Sequence, residues 1–151
     1  MTTPDLPDLP EQLAEIREDF LALEQPDRLQ LLLEFSNELP GLPERYRDHP
    51  DLFERVVECQ SPVFIFVEVD SDALVHLYAT APAESPTTRG FASILAQGLD
   101  GLTVDAVLAV PDDFPQTIGL TQAVSPLRLR GMTAMLGRTK RQLRERTAAS
   151  A

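Results

Sequence analysis

Residues 63–79 are Val63-Phe64-Ile65-Phe66-Val67-Glu68-Val69-Asp70-Ser71-Asp72-Ala73-Leu74-Val75-His76-Leu77-Tyr78-Ala79. The first seven have the β-branched and aromatic content of a strand, and Asp70-Ser71-Asp72 is typical of a turn. Beyond the turn, Val75, Leu77 and Ala79 alternate onto one face, as in a strand that is buried on one side. The stretch therefore predicts an antiparallel β-hairpin.

Two amphipathic helices are predicted before the hairpin, because apolar residues recur there at helical spacing. The first begins at Glu11 and is interrupted at Gln25-Pro26-Asp27, and the second is capped by Asp27 and ends at Pro40. Their predicted inner faces are Leu13, Ile16, Phe20 and Leu23 in the first helix, and Leu29, Leu32, Leu33, Ser36 and Leu39 in the second.

The pattern after the hairpin is helical again. One helix is predicted around Phe91–Leu95, a short one over Val104–Val110, and a long final one that Ser125 caps and Pro126 opens. The stripe that would pack the final helix on the sheet is Leu129, Met132, Leu136, Thr139 and Leu143. The predicted fold class is α+β, with a small antiparallel β-sheet packed against several α-helices.

Length and composition predict one domain. A chain of 151 residues can bury a core without a disulfide or a metal, and we place that domain at residues 11–146. Residues 1–10, with proline at every third position, are predicted to be a flexible N-terminal tail. Residues 147–151 are predicted to be a flexible C-terminal end.

The charge is divided unevenly along the chain. Residues 127–151 hold 7 of the 13 basic and 1 of the 24 acidic side chains, which leaves 6 and 23 for residues 1–126. A body this acidic repels phosphate backbones, so a protein partner is expected rather than nucleic acid. Arg138, Lys140, Arg141 and Arg144 suit the negative end of the last helix, and we interpret that end as solvated.

Other features limit the compartment and the chemistry. No apolar run approaches the ~20 residues that span a bilayer, and the single cysteine excludes an internal disulfide, so a reduced, cytoplasmic protein without a membrane anchor is expected. The glycine-rich motifs for dinucleotides and phosphates and the nucleophile elbow are missing. One cysteine and two histidines do not suffice for the usual zinc site, so no metal is expected.

Cys59 is the remaining candidate for chemistry. A free cysteine is often a small buried apolar residue, but Glu58, Gln60 and Ser61 are polar and Pro62 favours extended backbone, which predicts a loop before the strand. A thiol hydrolase needs a base, and only His49 or His76 could serve. A relay that accepts sulfur from a partner's persulfide needs one accessible thiol only.

The segments around Cys59 resemble the SufE family, the sulfur-accepting partners of cysteine desulfurases in iron–sulfur cluster assembly. Val57-Glu58-Cys59-Gln60-Ser61 is similar to the family's Gly-Cys-Gln-Ser site, and the segment 31–40 is similar to its helix ending in Leu-Pro. Arg89-Gly90 matches a basic-Gly pair, and Ser125-Pro126-Leu127-Arg128-Leu129-Arg130-Gly131-Met132 matches a Ser-Pro-x-Arg-x-x-Gly pattern. The ordered matches extend from about Leu29 to Leu143.

The resemblance implies an α+β fold shared with scaffold proteins of the IscU kind. It implies that Cys59 accepts sulfur as a persulfide from a SufS-like desulfurase, stimulates that enzyme, and passes the sulfur to a SufB-like scaffold complex. Pyridoxal phosphate is expected only in the desulfurase, and no cofactor is expected in this chain. The residues implied to support the thiol or to bind the partner are Glu58, Gln60, Ser61, Glu84, Arg89 and Arg128.

The sequence departs from the family pattern beside the thiol. Glu58 stands where the family has glycine, and a neighbouring carboxylate should raise the thiol pKa and repel a persulfide anion. In the loop before Arg89, only Glu84 offers a carboxylate where the family has an acidic segment. An alternative therefore stays open, in which the protein activates a desulfurase by docking alone and carries no sulfur.

Overall fold

The fold combines helices and a sheet, and the computed structural model describes residues 9–150. The helices in that range are α1 (Glu11–Leu21), α2 (Gln25–Asn37), α3 (Glu44–Arg47), α4 (Pro86–Gly98), α5 (Val104–Leu108) and α6 (Pro126–Ser150). The strands are β1 (Glu54–Arg55), β2 (Phe64–Val69), β3 (Leu74–Thr80) and β4 (Leu102–Thr103). Short 3₁₀ turns occupy Pro50–Leu52, Val57–Cys59 and Phe114–Thr117. The predicted α+β class is confirmed.

The sheet is antiparallel with strand order β1-β2-β3-β4. The predicted hairpin is its centre, with Phe64 opposite Thr80 and Val69 opposite Val75. Asp70 fixes the turn, because its carboxylate accepts the backbone N–H groups of Asp72 at 2.8 Å and Leu74 at 3.0 Å. The edge strands β1 and β4 have two residues each, which is too short for a periodic sequence pattern.

The two faces of the hairpin are covered differently. Ile65, Val67, Val75, Leu77 and Ala79 are buried in the main core. On the opposite face lie the aromatic rings of Tyr46, Phe53, Phe66 and Tyr78. The Tyr46 and Phe66 rings meet edge to face at 5.0 Å, so α3 covers the outer side of the sheet.

Close helix packing surrounds the core. Helices α2 and α4 approach so closely at Gly90 that an added Cβ would lie 2.6 Å from the Leu32 carbonyl oxygen. Helix α6 lies along β2, where the Gln142 side chain accepts a hydrogen bond from the Val67 N–H at 3.0 Å. Ser125 caps α6 as predicted, since its hydroxyl accepts the Arg128 N–H at 3.3 Å.

The start of α2 differs from the prediction. The helix begins at Gln25, so Asp27 lies in the first turn and is not the cap. Proline is compatible with the first helical turn, and Pro26 therefore does not delay the helix. Leu29 is 38% exposed while Phe35 is buried, so the inner face is rotated relative to the predicted one.

The basic end of α6 differs in part from the prediction of a solvated terminus, because Arg141 and Arg144 are exposed there but Lys140 is not. Lys140 is 5% exposed, and its ammonium group donates to the Val110 carbonyl and to Asp112 at 2.7 Å. The helix continues to Ser150, so Lys140 lies in its middle and packs against the segment after α5. No helix within residues 9–150 is long and apolar enough to cross a membrane.

The predicted tails are covered in part. Residues 1–8 lie outside the described residues, whereas Leu9 packs against the core, and residues 147–150 continue α6. The single-domain boundaries and the flexibility of both ends stay predictions.

Candidate functional site

The candidate thiol lies on a tight turn between β1 and β2. The 3₁₀ turn Val57–Cys59 is closed by the Cys59 N–H, which donates to the Val56 carbonyl at 3.1 Å. Gln60 follows in the left-handed region with φ of 63°, which directs the chain back into β2. A non-glycine residue in this conformation costs about 1–2 kcal/mol. The left-handed residue of the turn is Gln60, so Glu58 does not need the conformational freedom of glycine.

The Cys59 thiol rests on the backbone of α6. It is half-buried and contacts the main core, and its Sγ donates to the Gly131 carbonyl oxygen at 3.6 Å. An added Cβ on Gly131 would lie 3.0 Å from that Sγ and 3.4 Å from the Cys59 Cα. The glycine of the Ser-Pro-x-Arg-x-x-Gly segment thus makes room for the thiol, a role that the sequence did not reveal.

The surroundings keep the thiol protonated at neutral pH. Burial raises the pKa of Cys59 to about 11, the charge of Glu58 acts in the same direction, and Arg138 opposes both. The direction expected from Glu58 is confirmed, although burial is the larger cause. In this conformation the resting thiol is a weak nucleophile, because the thiolate is the reactive form.

Arg138 of α6 binds the 3₁₀ turn Val57–Cys59, called the cysteine turn below. Its Nε and Nη2 donate to one Glu58 carboxylate oxygen at 3.2 Å and 2.7 Å, and its Nη1 donates to Glu54. The hydrogen bonds from Arg138 lower the pKa of Glu58, which keeps that carboxylate ionised. Sequence reasoning missed this residue, since Arg138 and Glu58 are 80 positions apart.

Glu54 extends the ionic network along α6. It accepts hydrogen bonds from Arg138, Arg141 and Gln142. Burial alone would raise the pKa of Glu54, but the bonds from Arg141 and Arg138 outweigh it and the pKa is lowered. Arg141 also pairs with Glu145 at 2.9 Å. Arg138 therefore joins Glu58 and Glu54, whereas Arg141 contacts Glu54 without contacting Glu58.

Ser61 and Arg89 connect the cysteine segment to the loop before α4. The hydroxyls of Ser61 and Ser85 are 2.8 Å apart. Arg89 donates to the carbonyl oxygens of Ser36 at 2.9 Å and Ala81 at 2.6 Å. Arg89 thus ties the end of α2 to this loop. Glu84, next to Ser85, is exposed, as is the side chain of Gln60.

Arg128 lies one helical turn before Gly131, on the same side of α6. Its side chain is exposed, and its backbone N–H donates to the carbonyl and hydroxyl oxygens of Ser125 at the start of α6. The structure places Arg128 near the contact between α6 and the cysteine turn. Its role toward the loop or a partner stays a prediction.

The histidines are occupied elsewhere or exposed. Both ring nitrogens of His76 are engaged, Nδ1 with Asp100 and Nε2 with Asp70, each at 2.7 Å. His76 pairs with Glu68 in the sheet register. Glu68 lies four residues after the start of β2, the end of the strand that follows the cysteine turn, and this separation is roughly 13 Å along the strand. His49 is exposed. These positions do not favour a histidine-activated thiol.

Two further observations on residues 9–150 concern metal ligands and clefts. Within residues 9–150, no group of three His, Cys, Asp or Glu side chains is arranged for a metal ion. A cleft of about 810 Å³ lies between the hairpin and the end of α6, and Phe66, Glu68 and Arg146 are among its lining residues, which do not include Cys59.

Comparison with known proteins places the chain in a family. The family description "SufE: Fe-S metabolism associated domain" matches residues 14–143. The chain belongs to the SufE family. The family is associated with iron–sulfur metabolism, and the resemblance noted in the sequence is confirmed.

Named relatives agree with the family. An uncharacterized SufE-like protein of Mycobacterium tuberculosis is 54% identical over 137 residues, which cover 91% of this chain and 94% of that protein. The SufE-like protein 1 of Arabidopsis thaliana, chloroplastic/mitochondrial, is 28% identical over 130 residues, 85% of this chain and 34% of that protein.

A solved structure also resembles the fold. The solution structure of a hypothetical protein from Thermus thermophilus matches with a TM-score of 0.80 and 38% identity, over 91% of this chain and 97% of the other. The fold of this chain is therefore shared with a solved structure over nearly its whole length.

Proposed function

We propose that this SufE family member is a sulfur carrier in iron–sulfur cluster assembly, with Cys59 as the acceptor. The Cys59 thiolate attacks the outer sulfur of a persulfide on a cysteine desulfurase. A new S–S bond forms on Cys59, the partner's S–S bond breaks, and the partner's cysteine leaves as a thiolate. A second thiol, on a SufB-like scaffold complex, then removes the sulfur from Cys59.

The observation that carries this proposal is the position of the thiol. Cys59 is the sole cysteine of the chain, and it occurs in the segment that matches the family site, on a strained turn at the start of β2. A half-buried thiol that donates to Gly131 is sheltered from free thiols that would strip a persulfide. A small movement of the turn presents it.

In this function the partner carries out the desulfuration of cysteine. Pyridoxal phosphate belongs to the SufS-like desulfurase, and this chain contributes the acceptor thiol and the stimulation of turnover. The expected compartment is the cytoplasm, where the glutathione and thioredoxin systems keep the thiol reduced.

A second candidate function is activation of the desulfurase by docking alone. The pKa of Cys59 of about 11 and the carboxylate of Glu58 beside it favour this alternative, since both limit the thiolate population at rest.

The two functions are separated by desulfurase turnover with cysteine as substrate. The carrier predicts that Cys59→Ser, which keeps a small polar group at Gly131, loses most of the stimulation while His49→Ala keeps it. Full stimulation by Cys59→Ser would leave the docking activator as the function. Equal circular dichroism spectra of the variants control for folding.

A further inference from the structure

The cysteine turn is held on α6 by few directional contacts. In the described part of the chain, two contacts join residues 57–59 to α6 by hydrogen bonds. The Cys59 thiol donates weakly to the Gly131 carbonyl oxygen, and Arg138 donates to the Glu58 carboxylate in an ion pair. The pair is partly shielded from water, since the side chains of Glu58 and Arg138 are 39% and 23% exposed. A charge-assisted contact is stronger than a thiol hydrogen bond at 3.6 Å.

Other features of the turn favour its departure from the helix. Gln60 is left-handed with φ of 63°, a conformation that persists only where the surroundings enforce it. Val57 is 62% exposed, so little apolar burial holds its end of the turn. The ion pair therefore acts together with the partial burial of Cys59 against the core to oppose the opening of the turn.

We propose that the Glu58–Arg138 ion pair is a latch that holds the cysteine turn on α6 and keeps the Cys59 thiol sheltered until the pair opens. Arg138 is a positioning residue in this scheme, because it acts on the thiol through Glu58. The biological use of the latch rests on the proposed function. In that function, a desulfurase that places its own charged group against Glu58 or Arg138 opens the turn and exposes the Cys59 thiol.

The latch also gives Glu58 a role at the position where the family has glycine. A glycine offers no carboxylate to α6, so a turn with glycine lacks this contact. The Glu58 carboxylate disfavours the Cys59 thiolate, and the same carboxylate holds the cysteine turn on α6. While the pair is closed, Arg138 offsets the charge of Glu58 beside the thiol.

The test uses the purified full chain without any desulfurase, so its outcome is independent of sulfur transfer. Glu58→Gln and Arg138→Gln each break the pair. Arg141→Gln is the matched control, because Arg141 also binds Glu54 from α6 but does not bind Glu58. Two readouts are taken: the iodoacetamide alkylation rate of Cys59 at about pH 8, and hydrogen–deuterium exchange of a peptide covering the amides of Cys59 and Gln60.

The latch predicts faster exchange of that peptide, by about two- to fivefold, in both Glu58→Gln and Arg138→Gln, which is the range for a partly exposed ion pair. The double variant gains no more than the single ones, because the two residues act as one pair. Alkylation accelerates in Glu58→Gln, and Arg141→Gln resembles the wild type in both readouts.

Unchanged exchange in Glu58→Gln and Arg138→Gln overturns the latch, even where alkylation changes, because the pair then affects the thiol through charge alone. Equal acceleration in Arg141→Gln also overturns it, since the effect then comes from Glu54. Either result leaves the sulfur-carrier function intact. If the latch works but Cys59 accepts no sulfur, the docking activator is the remaining function.

Discussion

Gly131→Ala tests the contact between the cysteine turn and α6. The new Cβ would lie 3.0 Å from the Cys59 Sγ, whereas carbon atoms pack best at about 3.5–4.0 Å. The turn must therefore move outward by a few tenths of an ångström or more. Gly137→Ala is the matched control, because it lies on the same helix and a Cβ there meets nothing within 4 Å.

The magnitude follows from the difference between the two variants. Both gain the same helix propensity, about 1 kcal/mol relative to glycine. Gly131→Ala also suffers overpacking, which costs about 1–3 kcal/mol. We expect Gly137→Ala to raise the free energy of unfolding by about 1 kcal/mol, and Gly131→Ala to fall below Gly137→Ala by about 1–3 kcal/mol. Urea denaturation measures both values.

Thiol reactivity gives a second readout for the same pair of variants. An outward turn relieves the burial that is the main cause of the raised Cys59 pKa, and each unit of decrease gives about tenfold more thiolate. Iodoacetamide alkylation should therefore accelerate several-fold in Gly131→Ala and stay at the wild-type rate in Gly137→Ala. Equal stabilisation of the two variants together with equal alkylation rates would refute the close contact of Cys59 with α6.

Two further predictions concern the fold around the site. The hydrogen bonds that His76 donates to Asp100 and Asp70 raise the pKa of His76 above its ordinary value, although burial opposes them. Their stabilisation is therefore fully present below about pH 6.5 and is lost as the pH rises through the folded-state pKa. Urea denaturation from about pH 5 to about pH 9 measures the free energy of unfolding of His76→Gln and of the wild type. The variant should be less stable by up to about 1 kcal/mol at the acidic end, and the difference should shrink toward alkaline pH. A difference that does not change with pH would contradict the role of His76. Gly90→Ala should lower the free energy of unfolding by at least about 2 kcal/mol, because its Cβ would meet the Leu32 carbonyl oxygen at 2.6 Å. The control is Gly41→Ala at an exposed position, which should change the free energy of unfolding by less than about 0.5 kcal/mol. Similar values for the two variants would exclude a tight contact between α2 and α4 at Gly90.

The elements with strong local patterns could be predicted from the sequence. The hairpin is predictable because alternation over Val75, Leu77 and Ala79 has the period of a strand. The last helix is predictable because Ser125 and Pro126 form a local start signal. The strands β1 and β4 could not be predicted, because two residues carry no period and their pairing is set by the hairpin beside them.

In the candidate site, too, local features could be predicted from the sequence and long-range contacts could not. Cys59 could be chosen as the candidate acceptor because its neighbours are polar and resemble a family segment. The roles of Gly131 and Arg138 depend on the packing of α6 against a turn that lies 72 to 80 positions earlier in the chain, and no local pattern encodes such contacts. The interpretation of the basic residues near the end of α6 as solvated is confirmed for the exposed Arg141 and Arg144. It is wrong for Arg138 and Lys140 for this reason, since they hold other parts of the chain.

Transfer of sulfur to Cys59 is the central claim, and intact-protein mass spectrometry tests it most directly. The purified protein is incubated with a cysteine desulfurase, pyridoxal phosphate and cysteine, and is measured without reductant. A gain of about 32 Da, one sulfur atom, that dithiothreitol reverses and that Cys59→Ala lacks is the predicted result. No mass gain while desulfurase turnover is still stimulated would contradict the account.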